Sequence, residues 1–405
     1  MGVACRGCGK SDLPVVLSLG STPLANALRS ASELDVPDPR YPLDVALCPA
    51  CALVQLVETV DPTVLFADYA YLSSFSDTML RHAQAYAERV LQSRALGANA
   101  LVVEIGSNDG YLLRHFRQAG VAVLGIDPAR AAAAAAERAG VPTRTAFFGR
   151  DLADQLVGEG IRPDVVVANN VMAHVPEIND VVTGVVRLLK DDGVFVIETP
   201  YVRDLLDRLE FDTIYHEHVF YYSLTALRAL LARHGLRVID VERVSIHGGS
   251  IRVTAAARGR PNDAVFAMME EEAAWRPHDP ETYAAFAARV DALRFELSGL
   301  LRERKASGRR LAAYGAAAKG TTLLSVIGVG EDVLDFAVDR NPRKQGRYMP
   351  GTKVRIYPPE HLLEAMPDDV LLLTWNFRDE IMTQQAEYRR RGGQFIVPIP
   401  SPSIM

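Results

Sequence analysis

From Leu101 onward, short apolar stretches alternate with stretches of helical spacing, and this alternation restricts the fold more than any other feature of the chain. Leu101–Ile105, Val121–Ile126, Val165–Asn169 and Val194–Glu198 read as strands, while Tyr111–Ala119, Ala129–Ala139 and Ile178–Leu189 read as helices. The alanine run at 131–136 is a strong helix former, not a disordered repeat. A helix near 77–95 precedes this block, and a helix with two further strands, Leu236–Val241 and Ser250–Ala256, follows it. Such βαβ order predicts an open, mostly parallel sheet. Residues 262–307 are poor in glycine and read as one or two long helices. From Arg310 a second α/β pattern begins, with strands Leu311–Tyr314, Asp335–Asp339, Val370–Thr374 and Gln394–Val397, and helices near 359–365 and 377–391.

Ligands of open α/β sheets sit beyond the carboxyl ends of the strands. The turn after the first strand reads Glu104-Ile-Gly106-Ser-Asn108-Asp-Gly110. It lacks the G-x-G-x-x-G spacing, so a dinucleotide is not the first expectation. Gly106 and Gly110 let the backbone approach a ligand closely. Asp127 ends the next strand, where a carboxylate either accepts from both hydroxyls of an adenosine ribose or caps the following helix. Glu104 has a similar choice between ligand contact and loop anchoring. Asn169 ends the third strand and leads to His174, which either reaches the reaction zone or bonds to backbone. In the second α/β block, Gly315-Ala-Ala-Ala-Lys319-Gly320 is a glycine-rich turn at a helix start. It is an anion site carrying a lysine or a turn without ligand. Arg340-Asn-Pro-Arg343-Lys344 reads as a solvated loop in preference to a second phosphate contact.

All four cysteines fall in two C-x2-C pairs, Cys5/Cys8 and Cys48/Cys51. Each pair puts two thiolates on one tight turn, and two such turns complete a closed tetrahedral zinc site. Zinc here supports a unit whose core is too small to fold alone. The intervening residues 9–47 are long for a minimal zinc ribbon and predict a small loop or strand excursion. A chain of 405 residues suggests two or three domains. We place their limits at 1–60 for the zinc-binding unit, 61–245 for the first α/β unit and 246–405 for the second. The net charge of −6 gives no basic face for nucleic acid. No apolar run reaches membrane-spanning length, and the N-terminus lacks an apolar signal core, so a cytoplasmic protein with no membrane partner is expected. The oligomeric state is left open, with a monomer as the default.

Between the two α/β blocks lies Tyr215-His216-Glu217-His218, followed by Val-Phe-Tyr-Tyr222. If this stretch is extended, His216 and His218 share one face and Glu217 takes the other; a turn removes that inference. Phe66 to Ser76 is rich in hydroxyls and aromatics and reads as a linker or as a lid carrying a phenol, Tyr69 or Tyr71.

Taken in order, the cysteine pairs, Tyr69-x-Tyr71-x-Ser-Ser, Glu104-Ile-Gly-Ser-Asn-Asp-Gly110, Asn170-Val-Met-Ala-His174, His216-Glu-His-Val-Phe-Tyr-Tyr222, His247-Gly-Gly-Ser-Ile-Arg252 and Tyr314-Gly-Ala-Ala-Ala-Lys-Gly320 resemble the deoxysugar C-methyltransferase family. Those enzymes use S-adenosylmethionine to methylate C3 of TDP-4-keto-deoxysugars in antibiotic biosynthesis. The resemblance covers nearly the whole chain. It implies a class I, Rossmann-like methyltransferase domain followed by a second Rossmann-like domain for the sugar nucleotide. It implies Glu104, Gly106, Asn108, Gly110, Asp127 and Asn169 at the methyl donor. It implies Tyr222, His247, Arg252, Tyr314 and Lys319 at the TDP-sugar. His218 is then the general base, with Glu217, Tyr215, His174 and Tyr69 beside it.

The chemistry agrees with a histidine. Methylating carbon requires an enolate, hence a base for the α-proton and donors for the enolate oxygen. A base beside a sulfonium must not be a fixed cation, which argues against Arg or Lys. Tyr215 and His174 are expected to hydrogen-bond the ketone or enolate. The competing readings are a small-metabolite O- or N-methyltransferase, an RNA methyltransferase using the zinc unit for recognition, and a non-enzymatic nucleotide-binding protein.

Overall fold

A computed structural model describes residues 2–66, 73–75 and 77–405, with the side chains of Phe66, Phe75, Asp77 and His247 also outside the description. Tyr69 and Tyr71 lie outside the described residues.

The N-terminal unit is built on strands β1 (Val15–Pro23), β2 (Arg40–Leu47) and β3 (Val54–Leu56), paired antiparallel in that order. The segment between the cysteine pairs is therefore a strand excursion. The edge of β3 is closed from far along the chain: Phe220–Tyr221 pairs antiparallel with Val54 and Gln55. Gln55, wholly buried, accepts from Arg6 N–H at 2.9 Å and donates to the Ala4 carbonyl at 2.9 Å, so β3 also holds the first cysteine turn.

The second unit contains β4 (Leu101–Ile105), β5 (Ala122–Ile126), β6 (Thr143–Arg144), β7 (Val165–Asn169), β8 (Val194–Pro200), the borrowed β9 (Phe220–Tyr221), β10 (Arg237–Val244) and β11 (Ser250–Ala256). Its seven-stranded sheet runs β10-β11-β8-β7-β4-β5-β6. β11 is antiparallel to both neighbours, so it alone runs against the other six. Because β10 and β11 belong to this sheet, it continues across the expected division at 245/246. The strands β4, β7 and β8 carry apolar side chains on both faces because helices cover both.

Two helices, Asp263–Trp275 and Pro280–Ala306, lead to the C-terminal unit. There β12 (Leu311–Tyr314), β13 (Phe336–Val338), β14 (Ile356–Tyr357), β15 (Asp369–Leu372), β16 (Gln394–Val397) and β17 (Ser403–Ile404) form a sheet ordered β14-β13-β12-β15-β16-β17. All of its pairings are parallel except β16 with β17. One apolar cluster joins Leu17 and Leu19 of β1, Phe286 and Val290 of the long helix, and Leu323 and Leu324 of the C-terminal unit. Another joins Cys5, Cys48 and Cys51 to Val166 and Ala168 of β7 and to Ile178 of the helix Ile178–Leu188. The small N-terminal unit thus shares a core with each of the larger ones.

Candidate active site

The turn after β4 needs backbone that only glycine adopts freely. Gly106 sits at φ +68°, and a Cβ there would lie 2.3 Å from Val171 Cγ2. Gly110 sits at φ +76°, with a Cβ 2.9 Å from Val141 Cγ2. Between them Asn108, itself at φ +49°, donates its N–H to Asp127 Oδ2 at 2.8 Å. Asp127 Oδ1 accepts from Ala129 N–H at 2.8 Å. The carboxylate therefore holds both turns in place without capping the following helix, whose N-cap is Ala129, and each oxygen keeps a second lone pair.

Glu104 differs. It is fully buried at the end of β4, and neither carboxylate oxygen has a partner among the described residues. Burial, then Asp127 and Asp109, push its pKa well above the usual carboxylate range. The side-chain oxygens of Asn169 and Asn170 are likewise buried without a described partner. Unpaired buried acceptors are costly. A cleft lined with them and floored by glycine fits a ligand rich in donors, as the hydroxyls and ammonium of S-adenosylmethionine are.

The loop after β7 connects this cleft to the Tyr215–His218 stretch. Tyr222 is wholly buried and its hydroxyl donates to the Met172 carbonyl at 2.9 Å. Val219 N–H donates to the Ala173 carbonyl at 2.7 Å. His174 Nδ1 donates to the Glu217 carbonyl at 2.7 Å.

Residues 215–218 form a turn, not a strand, so the alternation expected of an extended segment does not apply. His216 is buried and turned to the N-terminal unit, where Nε2 donates to the carbonyls of Tyr41 and Pro42, each at 3.2 Å. Glu217 is 4% exposed, and its two carboxylate oxygens accept from Asn26 Nδ2 at 2.7 and 2.9 Å. Burial pushes its pKa up to about 7, against the Asn26 bond. His218 turns the other way. Its Nδ1 donates to the Thr213 carbonyl at 2.8 Å, and the Tyr215 hydroxyl lies 3.0 Å from Nε2. The His218 ring centroid is 4.1 Å from that of Tyr215 and 4.8 Å from that of His174.

Because a carbonyl can only accept, Nδ1 of each of these two histidines carries the proton, and Nε2 of each, when neutral, carries a lone pair. Burial pulls the His174 pKa down to about 4. A neutral His174 bonded this way is an acceptor at Nε2, which reverses the donor role expected of it.

Asp212 and Thr213 belong to a short 3-10 turn, Phe211–Thr213, which meets the C-terminal unit. Asp212 is buried and accepts from Trp375 Nε1 at 2.7 Å. Lys319, in the first turn of the helix Ala318–Ile327, donates to Asn376 Oδ1 at 2.9 Å and lies 4.2 Å above the Trp375 ring. Burial lowers its pKa, while Asp212 and Glu210 oppose that. Tyr314 is buried at the end of β12, where burial raises its hydroxyl pKa. Asp339 follows β13 and accepts from Ala316 N–H at 2.7 Å and Asn341 N–H at 2.8 Å. This repeats the role of Asp127 in the donor unit.

Arg252 does not join this group. It is 7% exposed and pairs with Glu198 through Nε at 2.9 Å and Nη2 at 2.6 Å, and with Glu242 through Nη1. His247 lies in the 3-10 turn Ile246–Gly248. The structure thus brings together His218, Tyr215, His174 and the Glu217 backbone, and separately the six residues at the β4, β5 and β7 ends. Sequence reasoning missed Asn26, Asp212, Trp375 and Asp339. Only Asp339 carried a signal, a strand-end acid placed like Asp127.

The cysteines form one cluster. Their four Sγ atoms lie within 4.8 Å of one another, with Cys5–Cys51 at 3.6 Å and Cys8–Cys48 at 3.5 Å. Four sulfurs at about 2.3 Å from a tetrahedral zinc stand about 3.8 Å apart, so the cluster fits the ion. After each pair the chain turns left-handed, at Gly9 (φ +78°) and Ala52 (φ +59°). The Cys51 thiol is pushed far up by Cys5 and by burial, while hydrogen bonding from Cys51 holds Cys5 down to about 5. Without a cation the pair ionises once, and a dication lets both sulfurs ionise.

Three family descriptions match successive parts of the chain: a zinc binding domain over residues 5–66, a methyltransferase domain over 79–241 and a C-methyltransferase C-terminal domain over 245–400. The chain is 39% identical over 404 residues to the C-methyltransferase NovU of Streptomyces niveus, covering 99% of this chain and 96% of that protein. Among solved structures it is similar to the magnesium protoporphyrin IX methyltransferase ChlM of Synechocystis PCC 6803 with bound SAM, at 17% identity and a TM-score of 0.37, over 49% of this chain and 99% of that one. It is also similar to an S-adenosylmethionine-dependent methyltransferase of Clostridium acetobutylicum ATCC 824, at 13% identity and a TM-score of 0.36, over 49% and 96%.

Proposed function

The chain belongs to the S-adenosylmethionine-dependent C-methyltransferases, and on that premise we propose that it methylates the carbon beside the ketone, C3, of a TDP-linked 4-keto-deoxysugar. Membership in that family sets aside oxygen and nitrogen acceptors. The observation that supports the reading best is His218, whose Nδ1 is fixed on the Thr213 carbonyl while Nε2 is left as the basic nitrogen.

S-adenosylmethionine supplies the methyl group as an electrophile. Glu104, Gly106, Asn108, Gly110, Asp127 and Asn169 hold it beyond the ends of β4, β5 and β7. The C-terminal unit holds the nucleotide diphosphate at the turn 315–320, through Tyr314 and Lys319, with Asp339 bracing that turn and His247 at the acceptor. His218 takes the α-proton at Nε2. The Thr213 carbonyl fixes the tautomer of His218 and stabilises the imidazolium that forms. Tyr215 shares the same nitrogen at rest. When that nitrogen takes up the α-proton, the phenol becomes available to the oxygen on which enolate charge develops. Burial keeps His174 and His216 below their usual range, so neither adds a fixed positive charge beside the sulfonium. His174 Nε2 accepts from an acceptor hydroxyl. Tyr69 is the expected lid phenol.

The test is His218→Asn with a TDP-4-keto-2,6-dideoxyhexose in deuterated buffer, following exchange at C3 by mass spectrometry. Exchange should fall at least about a hundredfold, the range lost with a general base. Undiminished exchange would exclude His218 as the base. If wild-type enzyme with methyl donor leaves the sugar nucleotide without an added methyl mass, the acceptor assignment fails.

A further inference from the structure

We propose that Asn26, supplied by the zinc-binding unit, is a positioning residue of the active site that holds Glu217 and through it the His174–His218 pair. The inference rests on the acceptor-site reading above and extends it to a unit otherwise expected only to lend stability.

Asn26 follows β1 and is exposed, so its own burial does not explain its placement. Its amide nitrogen nevertheless reaches both oxygens of a carboxylate that is 4% exposed, at 2.7 and 2.9 Å. A buried carboxylate needs donors to remain ionised. No other donor to the Glu217 carboxylate is found among the described residues, and the contact spans 191 positions of sequence. The Glu217 backbone carbonyl receives the His174 Nδ1 proton, and His218 is the next residue but the first to face Thr213. Moving the Glu217 side chain therefore moves the acceptor that sets the tautomer of one histidine and the main chain that carries the other.

The same unit grips the turn a second time, through His216 and the carbonyls of Tyr41 and Pro42. It grips it a third time through the pairing of β9 with β3. Of the three contacts, only the Asn26 contact is made by an exposed side chain. It can be removed with little effect on packing, which separates a positioning role from a stabilising one.

The experiment compares Asn26→Ala, Asn26→Asp and His218→Asn in the full-length, zinc-loaded enzyme. Zinc content, thermal midpoint, methyl transfer and C3 deuterium exchange are measured across the neutral pH range. Asn26→Ala should keep its zinc and thermal midpoint, yet lose about ten- to hundredfold in kcat/KM, the range for losing a hydrogen bond to a charged group. The limb of the pH profile belonging to Glu217 should move upward, and further in Asn26→Asp, where two carboxyl groups meet. A merely structural role would leave that limb in place. Wild-type kinetics and an unmoved limb in both variants would overturn the proposal. If Asn26→Ala loses zinc, the isosteric Asn26→Asp decides by the same two criteria. Should His218→Asn retain exchange, the acceptor-site reading fails first; should it lose exchange while both Asn26 variants behave as wild type, only the role of Asn26 falls.

Discussion

Replacing Arg252 with methionine separates a residue that holds the donor sheet together from one that contacts the acceptor. Arg252 and Glu198 stand directly opposite on β11 and β8, and Glu242 is opposite Arg252 on β10, so the three side chains form a row on one face of the sheet. His82 closes the row on Glu198 Oε1 at 2.7 Å, and the Arg252 guanidinium lies 3.9 Å from the Tyr86 ring centroid. Glu198 is 1% exposed. Burial alone would raise its pKa, but the His82 bond and Arg252 outweigh that and hold it below the usual range. Removing one member of such a pair strands the other, at about 3–5 kcal/mol. For a unit of this size that is a fall in thermal midpoint of about 6–20 °C. The sign with pH follows from the direction of the shift. A depressed carboxylate stabilises the fold above its unfolded pKa and loses that contribution as pH falls through the folded value. The gap between wild type and Arg252→Met should therefore widen from pH 4 to pH 7. Differential scanning fluorimetry of Arg252→Met, Glu198→Gln and the double variant reads this directly, and the double variant should regain part of the loss. A midpoint within about 2 °C of wild type together with a raised acceptor KM would refute the argument and return Arg252 to the substrate.

Two further outcomes follow from the donor cleft. Gly106→Ala should lose affinity for S-adenosylhomocysteine by calorimetry, since a left-handed backbone costs a non-glycine residue about 1–2 kcal/mol and the new methyl meets Val171. Adding Val171→Ala should recover only the clash, so full recovery would disprove the backbone share. Burial, then Asp127 and Asp109, raise the Glu104 pKa, and donors on a ligand favour its ionised form, so donor binding should release protons and tighten as pH rises. Titration in two buffers of different ionisation enthalpy measures this, and proton uptake, or release that survives Glu104→Gln, would contradict it.

The parts legible in the sequence were those written locally. Val165-Val-Val-Ala and Leu101-Val-Val carry their own period and burial, and the turn at Gly106 and Gly110 advertises positive φ. The cysteine pairs needed only their spacing. Contacts between distant segments were not legible. Asn26 sits in a loop with no motif, and its partner is on another unit. The two residues of β9 are too short to show alternation, and their pairing strand comes before the whole donor sheet. In the Tyr215–His218 stretch the residue types were informative but the conformation was not. An alternating reading placed His216 with His218, whereas the turn sends them to different units. Arg252 shows the same limit, because a charge in a strand reads equally as ligand contact or ion pair until its neighbours across the sheet are known.

The late strand β9 has a consequence for how the polypeptide emerges during synthesis. The zinc-binding unit is made first, but the edge of β3 stays open until Phe220 and Tyr221 have left the ribosome, after the parallel strands of the donor unit. Until then Val54, Gln55 and Leu56, all buried in the finished protein, present unpaired backbone to any other strand nearby. The nascent chain must keep that edge covered or run the risk of pairing between neighbouring copies, and fragments ending before residue 220 should aggregate even when their cysteines are metal-loaded.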